Sequence, residues 1–202
     1  MNLNLVTKYF HPYRILDIGA NIGQFHTLAK SYFPDSYIFS IEASEECESK
    51  LKLVTDQYYI GLLTKDNALY NFYSRKDTGT GTGDSIYREL TSYYNDDNVR
   101  IIEKQGIPLS DLFTDDSTFD LIKVDTQGSE LDIISGGIEL CKKAKGILLE
   151  VSLKPYNENS PLIDEVTTFM TNFGYEPKEI LGVGHHPQTG ELIQQDILYI
   201  KI

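Results

Sequence analysis

Residues 15–30 read ILDIGANIGQFHTLAK. An apolar run meets Asp17, two glycines follow four apart, and Ile22, Phe25, Leu28 and Ala29 recur at helical spacing until Pro34 punctuates the stretch. This reads as a buried strand, a tight turn and a helix over 21–33. Gly19 lets the chain turn sharply, and Gly23 permits a close approach at the helix start. The helix N-terminus offers N–H groups to a negative group. By itself such a turn needs no ligand.

The pattern repeats outward from this stretch. RILDIG (14–19), SYIFSIEA (36–43), YYIGLL (58–63), LYNFYS (69–74), NVRIIEK (98–104), FDLIKVD (119–125), GILLEVS (146–152), YEPKEILGVG (175–184) and DILYIKI (196–202) read as strands. Helices are predicted over 43–54 with Ser44 as N-cap, as a turn at 108–113, over 128–145 with a kink at Gly136–Gly137, and over 160–173 before Gly174. Residues 3–10 read as a short helix ahead of Pro12. Strands alternate with helices to about residue 175, which implies a parallel sheet covered on both faces. The loop 185–195 is too short for a parallel crossover, so the last two strands form an antiparallel hairpin. The expected fold is α/β, a doubly wound, mostly parallel, Rossmann-like sheet with an antiparallel C-terminal strand. Residues 1–202 read as a single domain, with 1–13 as an N-terminal extension and 76–97 as a lid or substrate loop.

Composition narrows the function. The net charge is −12, which argues against nucleic acid and anionic membrane surfaces as partners. No run approaches the ~18 apolar residues of a membrane-spanning helix. Cys47 and Cys141 form no CxxC or zinc pattern. They read as reduced thiols of a cytoplasmic protein.

In a doubly wound sheet, ligands bind outside the carboxyl ends of the strands. The strand after the glycine turn ends in Glu42, about 20 residues on, where an acid reaches a ribose diol in nucleotide-binding βαβ units. The dinucleotide fingerprint G-x-G-x-x-G lacks its middle glycine, because Asn21 stands there. The GTGTG run at 79–83 lacks the GK[ST] of a triphosphate loop. Strands end instead in Asp17, Glu42, Asp125 and Glu150. Four acids on one rim would repel a polyphosphate. They suit S-adenosylmethionine, which combines a ribose, an amino-acid head and a sulfonium. An NAD-dependent oxidoreductase or epimerase is the alternative reading.

The blocks ILDIGANIGQF, FSIEA, GTGDSIYRE, PLSDLF, IKVDTQGSELDIISGG and LLEVS resemble, in that order, those of the FkbM-type SAM-dependent methyltransferases, over roughly 14–202. The most specific piece is KVDTQGSELDIISGG (123–137), with Gln127 where many members carry Glu. The resemblance implies a class I methyltransferase fold and S-adenosylmethionine as cofactor. Asp17, Gly19, Asn21 and Gly23 would wall its methionine part, and Glu42 would hold the ribose hydroxyls. Asp84 and Ser85 would lie near the cofactor or its entrance, and Asp125 close to methyl donor and acceptor. The implied reaction is O-methylation of a hydroxyl on a sugar, glycan or other natural product.

A hydroxyl acceptor is helped by a general base. Asp125 is placed for it, or else holds the cofactor's amino group. Glu130 is a base or a first-turn cap. Glu150 is a base or the buried partner of Lys123. His185 and His186 are bases or exposed loop histidines; His11 and His26 read as structural. No metal-ligand motif is present.

Overall fold

The computed structural model describes residues 1–76 and 82–202. In chain order the elements are β1 (Arg14–Ile18), α1 (Gln24–Tyr32), β2 (Tyr37–Glu42), α2 (Glu48–Leu51), β3 (Tyr58–Ile60), β4 (Leu62–Leu63), β5 (Leu69–Arg75) and β6 (Val99–Ile107). Then come α3 (Leu109–Leu112), β7 (Leu121–Val124), α4 (Glu130–Ser135), α5 (Ile138–Cys141), β8 (Gly146–Ser152), α6 (Ile163–Asn172), β9 (Tyr175–His185) and β10 (Leu192–Lys201). Seven strands form one sheet in the order β3-β2-β1-β7-β8-β10-β9. Pairing is parallel from β3 to β8, and β10 runs antiparallel to both β8 and β9. The strand order reverses between β1 and β7, which puts the crevice at their carboxyl ends.

Side-chain alternation explains why the core strands read as continuous apolar runs: both faces of the sheet are buried. On one face Leu16, Ile18, Ile122, Val124, Ile147 and Leu149 pack with residues of α4, α5 and α6. On the other, Ile15, Leu121, Leu148 and Leu198 pack with Phe25 and Ala29 of α1 and with Leu3 and Val6. The latter two lie on a 3-10 helix, Leu3–Lys8, where a short helix was expected.

Three expectations differ from the structure. YYIGLL is two strands, because the chain leaves the main sheet at Gly61. There β3 pairs with β2, while β4 pairs with β6 in a separate three-stranded sheet, β4-β6-β5. The strand–helix alternation is therefore interrupted between β3 and α3. The helix expected over 43–54 shrinks to a 3-10 turn and α2, and the Ser44 side chain makes no capping bond. The helix expected over 128–145 breaks into α4 and α5. A side chain at Gly136 would collide with the Thr64 carbonyl, and one at Gly137 with Leu109. The glycine pair is what lets β4 and α3 approach this closely. Of the Gly/Thr loop at 76–85, residues 77–81 lie outside the described residues. Among the described residues, no helix is long and apolar enough to cross a membrane.

Candidate active site

The turn after β1 is shaped by its contact with the end of β7. Gly19 has φ +74°, and a Cβ there would collide with the carbonyl oxygen of Asp125. Asn21 is also left-handed, at φ 51°. The N–H groups of Gly19 and Ala20 both donate to the Ile41 carbonyl, at 2.9 and 3.0 Å. That of Asn21 donates to Glu42 Oε2 at 2.7 Å, and that of Ile22 to Asn21 Oδ1 at 2.8 Å. The N–H groups of the glycine turn itself, from Gly19 to Ile22, are thus bonded within the chain. Gly23 has φ +90° and packs against the Val54 side chain rather than facing the cavity.

Glu42 is fastened from both sides, since Oε1 accepts the Ser44 N–H at 2.7 Å. Burial pushes its carboxyl above the usual range, and the two N–H donors pull the other way.

Below the turn, on the face covered by α1, lies a buried ion cluster. Lys123 Nζ donates to the Gly19 carbonyl at 3.0 Å and stands 3.4 Å from both Asp17 Oδ1 and Asp125 Oδ2. Ser40 Oγ donates to Asp17 Oδ2 at 3.4 Å. Burial raises the Asp17 carboxyl pKa, and the Lys123 ammonium opposes it. The partner expected for Glu150 is therefore occupied elsewhere: Lys123 pairs with Asp17 and Asp125.

Glu150 takes its hydrogen bonds from amides. Gln127 Nε2 donates to its Oε2 at 2.5 Å, and Gln194 Nε2 donates to the same oxygen at 2.9 Å. Burial, then the charge of Asp125, holds Glu150 well above the ordinary glutamate range. Glu130 serves the turn between β7 and α4. Its Oε1 accepts the N–H groups of Thr126 at 2.9 Å and Gly128 at 3.1 Å. Burial pushes it up to about 7.

The segment after the Gly/Thr run forms the opposite wall. Ser85 Oγ reaches the Thr126 and Gln127 carbonyls at 2.9 and 3.0 Å. Asp84 Oδ1 accepts from the Arg75 N–H and the Tyr94 hydroxyl, both at 3.1 Å. Further along, Asn157 Nδ2 donates to the Tyr87 carbonyl at 2.9 Å, and Gln188 Nε2 to Ser92 Oγ at 2.7 Å. These bonds tie the segment expected as a lid to the loops after β8 and β9.

Together these parts enclose a cavity of about 390 Å³. Of the residues singled out from the sequence, Gly19, Asn21, Glu42, Asp84, Ser85, Asp125 and Glu150 line it. Asp17, Gly23, Glu130 and His185 do not: Asp17 lies beneath Lys123, Glu130 faces its own turn, and His185 is exposed at the end of β9. One residue had been read only as a partner for Glu150, and one escaped the sequence reading. Lys123 lines the cavity in its own right, and Gln194 reaches Glu150 from β10. A lysine inside an apolar strand run was a usable signal. Gln194 gave none, since antiparallel pairing alone brings it there. Among the described residues, no group of three or more His, Cys, Asp or Glu is arranged to hold a metal ion.

The fold and this cleft have counterparts. The chain superimposes on methyltransferase FkbM from Methylobacillus flagellatus with TM-score 0.58 and 16% identity, covering 93% of this chain and 43% of that one. It thus spans less than half of that relative's length. Magnesium protoporphyrin IX methyltransferase from Synechocystis, solved with bound SAM, gives TM-score 0.53 at 11% identity, over 98% and 74% of the two chains. A TehB-like SAM-dependent methyltransferase from Corynebacterium glutamicum gives 0.51 at 11%, over 98% and 85%. None of the curated proteins compared with the chain matches it. At these identities the structural likeness establishes the class I methyltransferase fold. Residues 17–177 match the sequence model of the methyltransferase FkbM domain, well over half the chain, and the protein belongs to that family.

Proposed function

We propose that the cavity binds S-adenosylmethionine and that the protein transfers its methyl group to a hydroxyl of a sugar, glycan or other natural product. The observation that carries this reading is the charge of the cavity wall. Glu42, Asp84, Asp125 and Glu150 line it, with Lys123 as the only lysine or arginine among the lining residues. The cavity volume falls within the ~300–1,000 Å³ of small-molecule sites. Such a wall favours a ligand bearing an ammonium and a sulfonium and disfavours a pyrophosphate. The N–H groups of the glycine turn, from Gly19 to Ile22, support the same choice, because they are spent on bonds within the chain rather than aimed at a phosphate.

The residues present fit the cofactor. Glu42, fixed by two backbone N–H groups, would receive the ribose hydroxyls. Asp125 would face the ammonium, and Gly19 and Asn21 would flank the amino-acid part. When bound, the cofactor supplies an electrophilic methyl on a positively charged sulfur. The chain's own contribution is to orient both partners, exclude water and take up a proton. Orientation alone contributes up to ~7–11 kcal/mol in well-aligned reactions. Asp125 and Glu150 are the two base candidates on the cavity wall. Two buried cysteines that form no disulfide fit a reducing, cytoplasmic setting.

Calorimetry with S-adenosylmethionine, its demethylated product and NAD tests the cofactor. Heat with the first two and none with NAD is expected. Labelled-methyl transfer to a panel of sugars, sugar nucleotides and glycans tests the reaction. Binding of NAD alone would overturn the reading.

A further inference from the structure

Two amide side chains converge on one carboxylate oxygen of the cavity wall. Gln127 and Gln194 both donate to Glu150 Oε2, at 2.5 and 2.9 Å. They arrive from different elements, the turn after β7 and the antiparallel strand β10. Gln127 is held left-handed at φ 57°, a conformation that strains a residue with a side chain. Its amide also reaches Asp125 Oδ1 at 3.3 Å. The other oxygen of Glu150, Oε1, accepts no hydrogen bond from the described residues, and Glu150 lines the cavity. Asp125 differs in having both oxygens engaged, one by Gln127 and the other by the Lys123 ammonium.

We propose that Glu150 accepts the proton of the methyl-acceptor hydroxyl on Oε1, and that Gln127 and Gln194 are the positioning residues that turn this oxygen to the cavity. The inference rests on the methyltransferase reading given above. As the acceptor oxygen gains its bond to carbon and the sulfur–methyl bond breaks, the hydroxyl proton passes to Glu150 Oε1 and a neutral thioether leaves. The amides have a second effect. Asp125, Glu130 and Asp196 all push the Glu150 pKa up, Lys123 draws it down, and Tyr156 also lies within electrostatic reach. Two donors on Oε2 favour the ionised form that a base requires, against this surplus of negative charge.

The test has two arms. In the first, the side-chain carboxyls of ¹³C-glutamate-labelled protein are titrated by NMR, with Glu150→Gln assigning the resonance. Glu150 is expected to titrate above ordinary glutamates, and its midpoint to rise by about one unit or more in Gln194→Leu. Gln127→Leu is an independent second variant should the first fail to fold. A midpoint unmoved in both overturns the positioning role. In the second arm, labelled-methyl transfer and S-adenosylmethionine calorimetry are run on the same proteins. Glu150→Gln is expected to lose ~10²–10⁴-fold in kcat with cofactor affinity kept within threefold. Gln194→Leu is expected to lose about tenfold at pH 7 and to recover at higher pH, as a one-unit rise in the base's midpoint requires. Transfer by Glu150→Gln at the wild-type rate overturns the proton role. Absence of any heat with the cofactor in the wild type overturns the methyltransferase reading, and the proton role with it, while leaving the titration to judge the clamp itself.

Discussion

The ammonium of Lys123 lies 3.4 Å from Asp17 Oδ1, and both side chains are withdrawn from water, at 5% and 0% exposure. Removing one charge of such a pair strands the other. Lys123→Met is therefore expected to destabilise the fold by about 3–5 kcal/mol, whereas Lys123→Met with Asp17→Leu recovers part of that loss. Urea unfolding of the two variants checks this. Equal losses in both would mean that the pair contributes nothing as a pair.

Gly19 is the tightest point of the turn. Any side chain there meets the Asp125 carbonyl, and φ +74° is unfavourable for a residue with a Cβ. Gly19→Ala is expected to cost more than ~1 kcal/mol, since native φ and native contacts both oppose it. It should also disturb the cavity, because Gly19 and Asp125 both line it. Thermal unfolding, with and without S-adenosylmethionine, is the measurement. A variant that keeps both its melting temperature and its ligand shift would show that the turn can yield.

How much of this was legible in the sequence follows from what each signal depends on. The doubly wound sheet was readable because β1, β2, β7 and β8 are buried on both faces and so are mostly apolar along their length. The antiparallel end was readable because the loop before β10 is too short to cross back. The second sheet was not, since leaving one sheet for another at Gly61 depends on which edge accepts Leu62–Leu63, and no local pattern encodes that. At the site, strand-end position was enough to bring Glu42, Asp125 and Glu150 to one cavity. It failed to separate them from Asp17, whose side chain points to the α1 face one residue before the strand ends. Glu130 and Gln194 depend on side-chain direction and cross-strand register, which spacing along the chain does not reveal.

Stability should fall as pH rises through neutrality. Burial raises the Glu130 carboxyl to about 7 and that of Asp196 to about 6. For an acid whose folded pKa is raised, the stabilising contribution is complete below the unfolded value of ~4.3, and it is lost as pH climbs through the folded one. For Glu130 alone a shift to about 7 corresponds to roughly 3 kcal/mol between pH 4 and pH 8. Glu130→Gln keeps an acceptor for Thr126 and Gly128 while removing the titration. Its unfolding free energy should show a shallower slope from pH 5.5 to 8.5 than the wild type. Parallel slopes would place the pH dependence elsewhere.

Both cysteines should be silent in the native state. Cys47 and Cys141 are fully buried, and burial lifts both thiols to about 12, far from the thiolate range. A chromogenic disulfide reagent at pH 8 is expected to label neither until the chain unfolds, and the labelling rate should follow the urea unfolding curve. A thiol reacting at the rate of a free peptide would contradict the packing around it.

Glu42 offers the sharpest separation of structure from binding, because both of its oxygens already accept a backbone N–H. In Glu42→Gln one oxygen becomes an NH₂ group, which must face the N–H of either Asn21 or Ser44. One buried donor is left without an acceptor, at about 1–3 kcal/mol. The loss should appear twice, as lower stability and as weaker nucleoside binding, because Asn21 and Glu42 line the same wall. Glu42→Asp, one methylene shorter, keeps the charge and is expected to bind better than Glu42→Gln while remaining below wild type. Calorimetry with S-adenosylmethionine ranks the three proteins. If Glu42→Gln bound as tightly as wild type, the ribose role of this acid would have to be given up, and the carboxylate would be left as a brace for the turn alone.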